Sequence, residues 1–176
     1  MENKKREFDM PKIWVITDTH LYHDKMKEYC DRPDDYNERI ISNWKQMVAP
    51  GDTIIHLGDV IFRRRKELNL ILESLPGIKV LTTGNHDKRT GTNTWFLKMG
   101  FNYVCKSHSY KNVLFSHKPQ DLSQFPGIEY NIHGHLHRDE CSLEKYPFHD
   151  PSRHIKVSIE ETDYCPILLS ELVTIR

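Results

Sequence analysis

Five times along this chain a turn near the end of a hydrophobic run carries Asp, Asn or His: Asp18-Thr19-His20, Gly58-Asp59, Gly84-Asn85-His86-Asp87, Ser116-His117 and Gly134-His135-Leu136-His137. In three of them a glycine lets the backbone bend sharply beside the polar residue. Residues 12–17 (KIWVIT), 53–57 (TIIHL) and 78–82 are short, apolar and rich in β-branched side chains, as buried strands are. Helical patterns alternate with them. Ile40, Ile41, Trp44, Met47 and Val48 recur at helical spacing within residues 35–48, ahead of Pro50-Gly51; Leu68, Leu70, Ile71, Leu72 and Leu75 lead to Pro76-Gly77. Strands alternating with helices predict an α/β domain whose sheet is covered by helices. Ligands of such sheets gather at the carboxyl ends of the strands, so the five turns are expected to converge.

The second half reads differently. Residues 101–105, 110–115, 129–133 and 153–159 look like strands, 94–99 like a short helix, and the apolar run 167–175 suits either. Residues 138–151, charged and holding Pro147 and Pro151, read as a long loop, and 1–11 as a frayed start. A length of 176 residues fits one domain over 1–176. Lys plus Arg and Asp plus Glu both number 25, a formal charge of zero. No whole-chain field therefore draws it onto nucleic acid or anionic lipid, and neither an obligate nucleic-acid partner nor a membrane is expected. The first ten residues lack the apolar centre of a secretory signal. The four cysteines are far apart, with no C-x-x-C pair. The expectation is a cytoplasmic protein with reduced thiols.

Eleven histidines in such a chain need an explanation. In extended backbone, residues two apart project to one face, so Asp18 with His20, and His135 with His137, can each present two ligands in one direction. With Asp59, Asn85 and His117 they make seven candidate ligands, too many for one ion with an open position. Imidazole, carboxylate and amide oxygen suit manganese, iron or zinc. Two such ions leave an electrophilic centre for an anion, and phosphate esters are the natural substrates. His86 is placed to donate a hydrogen bond or proton to developing charge, and Asp87 either to orient His86 or to cap the next turn. His23, Arg63, Arg64, Lys88, Arg89 and Lys118 are the candidate substrate contacts. His56, inside an apolar strand, reads as a hydrogen-bonded core residue.

In these residues the chain resembles the calcineurin-like metallophosphoesterase superfamily. The blocks D-x-H, G-D, G-N-H-D, H and G-H-x-H occur in family order from Asp18 to His137, and TDTHLYH, HLGDV, TGNHD, SHKP and HGHLH look most like its compact bacterial and phage-type members. The resemblance implies a four-layer αββα sandwich of two mixed β-sheets with helices outside and a dinuclear metal site at the strand ends. It implies Asp18, His20, Asp59 and His137 around one ion, Asp59, Asn85, His117 and His135 around the other, His86 as the catalytic histidine, and attack by a metal-bridging hydroxide. His133 shares the parity of His135 and His137, and only the family pattern leaves it out of the ligand set. Lys118 stands where relatives often carry an aromatic residue before the proline, which makes that wall more basic. The implied activity is metal-dependent hydrolysis of a small phosphodiester, favoured over a phosphomonoester, with nucleotides included. A nuclease or nucleic-acid end-processing enzyme on the same centre is the alternative, and would need the basic residues to form one groove. A non-catalytic metal-binding scaffold would be expected to lack a ligand or His86; this sequence lacks neither.

Overall fold

The computed structural model describes residues 10–63, 66–137 and 141–176. The expected residues 1–9 of the frayed start, Arg64, and residues 138–140 of the long loop lie outside them. Strands β1 (Ile13–Ile16), β2 (Thr53–His56), β3 (Ile78–Thr82) and β4 (Tyr103–Cys105) run parallel in the order β4-β3-β2-β1, and β9 (Ile167–Leu168) closes the far edge antiparallel to β1. Their alternation sorts two faces. Trp14, Ile16, Ile54 and Leu81 pack on Tyr36, Ile40 and Trp44 of α2 (Tyr36–Met47), on Leu68 and Leu72 of α3 (Lys66–Ser74) and on Phe96 of α5 (Asn93–Lys98). Val15, Ile55, Leu57 and Val80 face the other way, onto a second sheet. Each such side chain contributes about 1.5–3 kcal/mol when fully buried, so the two-sided burial of β1 to β3 holds the fold together. Three one-turn helices complete the set: α1 (Met26–Tyr29), α4 (Asp87–Thr90) and α6 (Leu169–Leu172).

The second sheet has the order β5-β6-β7-β8, from β5 (Ser107–Tyr110), β6 (Val113–Ser116), β7 (Tyr130–His133) and β8 (His154–Lys156). Strands β6, β7 and β8 are parallel and β5 is antiparallel to β6. Two mixed sheets stacked with helices outside is the expected architecture. The layer over the second sheet is built differently from the first. Asn131 on its outer face accepts from Gln120 N at 2.8 Å, His154 Nε2 meets Gln120 O at 2.9 Å, and His133 lies 5.8 Å from the His149 ring. Between β6 and β9 the helical elements among the described residues are two 3-10 turns, Leu122–Gln124 and Cys141–Lys145, the latter inside the expected loop 138–151.

Three expectations are redrawn. The run read as one strand at 110–115 is a hairpin, turning at Lys111 with φ 52° between β5 and β6. Strand β5, with the sequence SHSY, is an edge strand with Ser109 and Tyr110 exposed, so it carries no apolar signal. The run 153–159 keeps only three residues in the sheet, and 167–175 splits into β9 and α6. No helix among the described residues is long and apolar enough to cross a membrane.

His56 sits on the helix-covered face of β2, fully buried beside Trp44 and Phe101. Its Nδ1 accepts from Gly58 N at 3.1 Å, so Nε2 carries the proton and donates to Thr19 Oγ1 at 3.0 Å. Burial pushes this imidazole down to about 3. The unfolded chain then binds a proton that the folded chain refuses below the ordinary histidine pKa, so the stabilisation is complete above about pH 6.5 and is lost as pH falls. Urea unfolding of the metal-free protein should show a loss of about 2 kcal/mol between pH 7.5 and pH 5 from this residue. His56→Gln should flatten that slope; an unchanged slope would assign the acid sensitivity elsewhere.

Candidate metal centre

The carboxyl ends of β1, β2, β3, β6 and β7 meet along one rim, joined by direct hydrogen bonds. His117 Nδ1 donates to Leu57 O at 2.9 Å, His135 N to Asp18 Oδ2 at 2.8 Å, and His86 N to Asp59 Oδ1 at 2.8 Å. The seven candidate ligands come together there. Asp18, His20 and His137 form one cluster of potential ligand atoms within 4.8 Å of one another, and Asp59, His117 and His135 form a second. Asn85 joins the second through Oδ1, 3.0 Å from His117 Nε2. Asp59 Oδ2 faces both, 3.4 Å from His117 Nε2 and 3.7 Å from His20 Nε2.

The way the pairs converge differs from what a spacing of two by itself suggests. His135 and His137 do not share a direction: they part, one to each cluster. Asp18 (φ 46°), His20 (42°), Asp59 (56°), His135 (70°) and His137 (47°) are all left-handed rather than extended. Such a conformation costs on the order of 1–3 kcal/mol per non-glycine residue and persists only where its surroundings over-determine it. Here Asp18 N donates to Gly58 O and His20 N to Asp59 O, both at 3.0 Å, while the Tyr36 hydroxyl donates to His20 O at 3.0 Å. Two glycines permit the approach of the strands. A Cβ on Gly84 would fall on the Asp59 carboxylate, and one on Gly134 on the Thr17 hydroxyl and the Asp18 carboxylate.

The donor chemistry fits cations. Asp18 is 1 % exposed; its Oδ2 is satisfied by Thr17 Oγ1 and His135 N, whereas Oδ1 is buried with no hydrogen-bond partner and stands 3.8–3.9 Å from nitrogens of His137, His20 and His117. Because His117 Nδ1–H is spent on Leu57, the Nε2 lone pair points at two further acceptors, Asn85 Oδ1 and Asp59 Oδ2. Lone pairs facing lone pairs repel unless a positive charge lies among them. Burial raises the Asp59 carboxyl, with the Asp18 and Asp87 charges adding to it. Burial acts the same way on Asp18, but His117, His137 and His20 outweigh it and lower that carboxyl. Burial also lowers His20, and takes His135 down to about 4, leaving both neutral and free to donate electron pairs at pH 7.

His86 lies in neither cluster. Its Nε2 is 4.0 Å from Asp59 Oδ2, its ring stands edge-on to His20 at 5.1 Å, and it lines a cleft of about 470 Å³ together with His23 and Arg63. Asp87 does not touch the His86 ring through any hydrogen bond. Fully buried, its carboxylate accepts from Asp59 N at 2.7 Å, Gly84 N at 2.8 Å and Val60 N at 2.9 Å. Of the two roles expected for it, orienting His86 has no hydrogen bond behind it; instead Asp87 is a positioning residue that pins two of the turns against each other. Asp87→Ala would leave three N–H groups without their acceptor, at about 1–3 kcal/mol for each that stays buried. A loss on the order of 3 kcal/mol in chemical unfolding is expected, and less than 1 kcal/mol would refute the clamp.

Among the other expected contacts, Lys88 and Lys118 line a second cleft of about 350 Å³ beside Asn85 and His117. Arg63 lines the first cleft and not this one, and Arg64 lies outside the described residues. Arg89 is exposed and acts on His86 only as a nearby charge. His133 is buried on the outer face of the second sheet, outside both clusters.

Sequence reasoning missed the supports. Arg32 is buried, donates to the carbonyls of Asp18 at 2.7 Å and Thr19 at 2.8 Å, and pairs with Glu160 at 2.6 Å. Glu160 in turn accepts from His137 Nδ1 at 3.0 Å, turning Nε2 toward Asp18. Burial alone would lower the His137 imidazole, but hydrogen bonds with Cys30 and Glu160 and the Asp18 charge raise it to about 10. Such outer partners fix the orientation of a metal-binding histidine. Arg32 lies in a polar stretch and Glu160 after a fading strand, and neither position carries a spacing signal.

Comparison with known proteins follows the same lines. A family model described as calcineurin-like phosphoesterase matches residues 11–139, a span that holds both clusters and His86 but not Glu160. An uncharacterized protein of Methanocaldococcus jannaschii is 34% identical over 172 residues, covering 93% of this chain and 90% of that protein. The crystal structure of a protein of unknown function from Aquifex aeolicus matches with a TM-score of 0.73 at 28% identity, covering 92% of this chain and 97% of that one.

Proposed function

Because the chain belongs to the calcineurin-like phosphoesterase family, we propose that it is a dinuclear metal-dependent phosphohydrolase acting on a small phosphodiester or phosphomonoester, nucleotides included, with diesters preferred. The observation that carries this reading is the pair of buried carboxylates, Asp18 and Asp59, each presenting an oxygen to histidine nitrogens 3.4–3.9 Å away. Asp18, His20, Asp59 and His137 would hold one ion, and Asp59, Asn85, His117 and His135 the other. Manganese, iron or zinc bound there would supply Lewis acidity, polarising phosphoryl oxygens and acidifying a water.

The remaining work falls to the chain itself. Asp59 Oδ2 faces both clusters, so one side chain sets their spacing. Burial, with the Arg89 charge adding to it, keeps His86 below the ordinary histidine range. At pH 7 it is therefore a neutral imidazole with one N–H, available to an oxygen on the reacting phosphorus or on the departing group. Glu160 and Arg32 hold His137 and the 18–20 turn so that neither reorganises as charge develops.

The test is elemental analysis after reconstitution, followed by a hydrolysis panel with added manganese: bis(p-nitrophenyl) phosphate, p-nitrophenyl phosphate, and 2′,3′- and 3′,5′-cyclic nucleotides. Uptake of two ions and turnover fastest on a diester is the expected result. A sample that takes up only traces of manganese, iron and zinc, or that loads them and hydrolyses none of the four, would overturn the proposal.

A further inference from the structure

Two clefts of different chemistry adjoin the centre, one holding His86 and the other Asn85 and His117. The first is lined by the aromatic Tyr22, Tyr29 and Phe62, with Asp24, Lys25 and Arg63 of mixed charge beside them, and reaches the centre through His86, 4.0 Å from Asp59 Oδ2. Phe62 is set flat against His23, ring centroids 3.7 Å apart at 2°, with the Arg63 guanidinium 5.3 Å over its ring, and Tyr29 of the same cleft is 65% exposed, so the ring left open to a ligand is that of Tyr29. The second reaches the centre through Asn85 and His117, the latter 3.4 Å from the same oxygen, and is lined by Lys88, Lys106 and Lys118 with no acidic residue. In a chain of zero formal charge, three lysines gathered without a carboxylate are a local feature and not an overall surplus. Among the described residues, none of the three ammonium groups has an ion-pair partner.

An exposed tyrosine in a cleft with aromatic lining suits a flat ring, which gains stacking and apolar burial there. A lysine cluster suits an anion, and phosphate most of all. Resting on the phosphohydrolase reading above, we infer that the substrate carries an aromatic base on one side of the reacting phosphorus and a second phosphate on the other, as a nucleoside 5′-diphosphate does. The reaction this implies is hydrolysis at the α-phosphorus. Water oxygen bonds to that phosphorus, the bond from it to the bridging oxygen breaks, the bridging oxygen leaves with the second phosphate, and one proton is released. The products are a nucleoside monophosphate and inorganic phosphate. Tyr29 and Lys106 are the specificity-determining residues, one for each arm.

Calorimetric titration of the manganese-loaded protein with adenosine 5′-(α,β-methylene)diphosphate, which cannot be cleaved at its bridge, reads binding without turnover. The probes lacking one arm are the methyl ester of adenosine 5′-monophosphate and methylenediphosphonate. Tyr29→Ala and Lys106→Glu, both at exposed positions, should each weaken the full analogue on the order of tenfold. Lys106→Glu should affect the methyl ester at least several-fold less than the full analogue, and Tyr29→Ala should likewise spare methylenediphosphonate. A dissociation constant within twofold of native for the full analogue in either variant, or equal losses on probes with and without the arm, overturns the two-armed site. Hydrolysis of bis(p-nitrophenyl) phosphate by the same samples keeps the two failures apart. Turnover with unchanged analogue binding removes this inference alone. The expected binding losses without any turnover remove the phosphohydrolase and leave the two-armed site standing.

Discussion

Asp59→Asn should weaken two-ion loading by about 100-fold or more while making the metal-free protein more stable. The opposite signs follow from what each oxygen does. Oδ1 accepts from His86 N at 2.8 Å, and an amide oxygen keeps that bond. Oδ2 has no such partner: it faces nitrogens of His117, His20 and His86 at 3.4, 3.7 and 4.0 Å, and an NH2 group there cannot donate a lone pair to a cation. Because even outer partners of metal-binding residues cost 10–100-fold when lost, removal of a shared oxygen should weaken loading by about 100-fold or more. In excess metal that takes about 2.7 kcal/mol from the metal-dependent stabilisation. Without metal, however, the wild-type site buries two carboxylates side by side, and burial already pushes the Asp59 carboxyl up toward its neutral form. A neutral amide removes that cost. Melting curves with and without manganese, beside elemental analysis over a range of free metal, check both halves; a variant that loads two ions as tightly as the native protein would show that Asp59 is not a shared ligand.

His86→Ala should cut turnover by about 10²–10⁴-fold, the usual contribution of a positioned proton donor, with both ions retained. The ring belongs to neither cluster, its side chain is 28% exposed, and its nearest carboxylate oxygen is 4.0 Å away. Its backbone N–H, which holds Asp59 Oδ1, survives the substitution. Loss of activity without loss of metal is therefore the signature of a residue acting on the substrate. His86→Gln, which restores an N–H, should recover part of the rate if hydrogen bonding to developing charge is the larger part of its role. Equal rates for wild type and His86→Ala would remove it from the chemistry, and loss of metal in His86→Ala would reassign it as a ligand.

Which pieces of backbone would carry polar groups to one place was legible because each has a local cause. An apolar β-branched run makes a strand, Gly-Asp or Gly-Asn-His makes its turn, and parallel neighbours bring such turns to one edge. Strand β5 escaped because an edge strand needs no apolar alternation, and the two-residue β9 because one apolar run serves both it and α6. The same locality misled where side-chain direction mattered. Spacing of two predicts a shared face only in extended backbone, and the left-handed turns at His135 and His137 send their rings to different clusters.

The ordered turns, the seven candidate ligands and His86 are therefore properties of the sequence, since short-range sterics and hydrophobic period specify them. Tertiary structure alone decided that Asp87 clamps backbone and leaves His86 free, that Arg32 and Glu160, 128 residues apart, meet at 2.6 Å, and that one cleft with aromatic lining and another with three lysines both adjoin the centre. A buried ion pair or a cleft wall is made by residues whose separation along the chain carries no period. Only the packing of one sheet on the other brings them within reach.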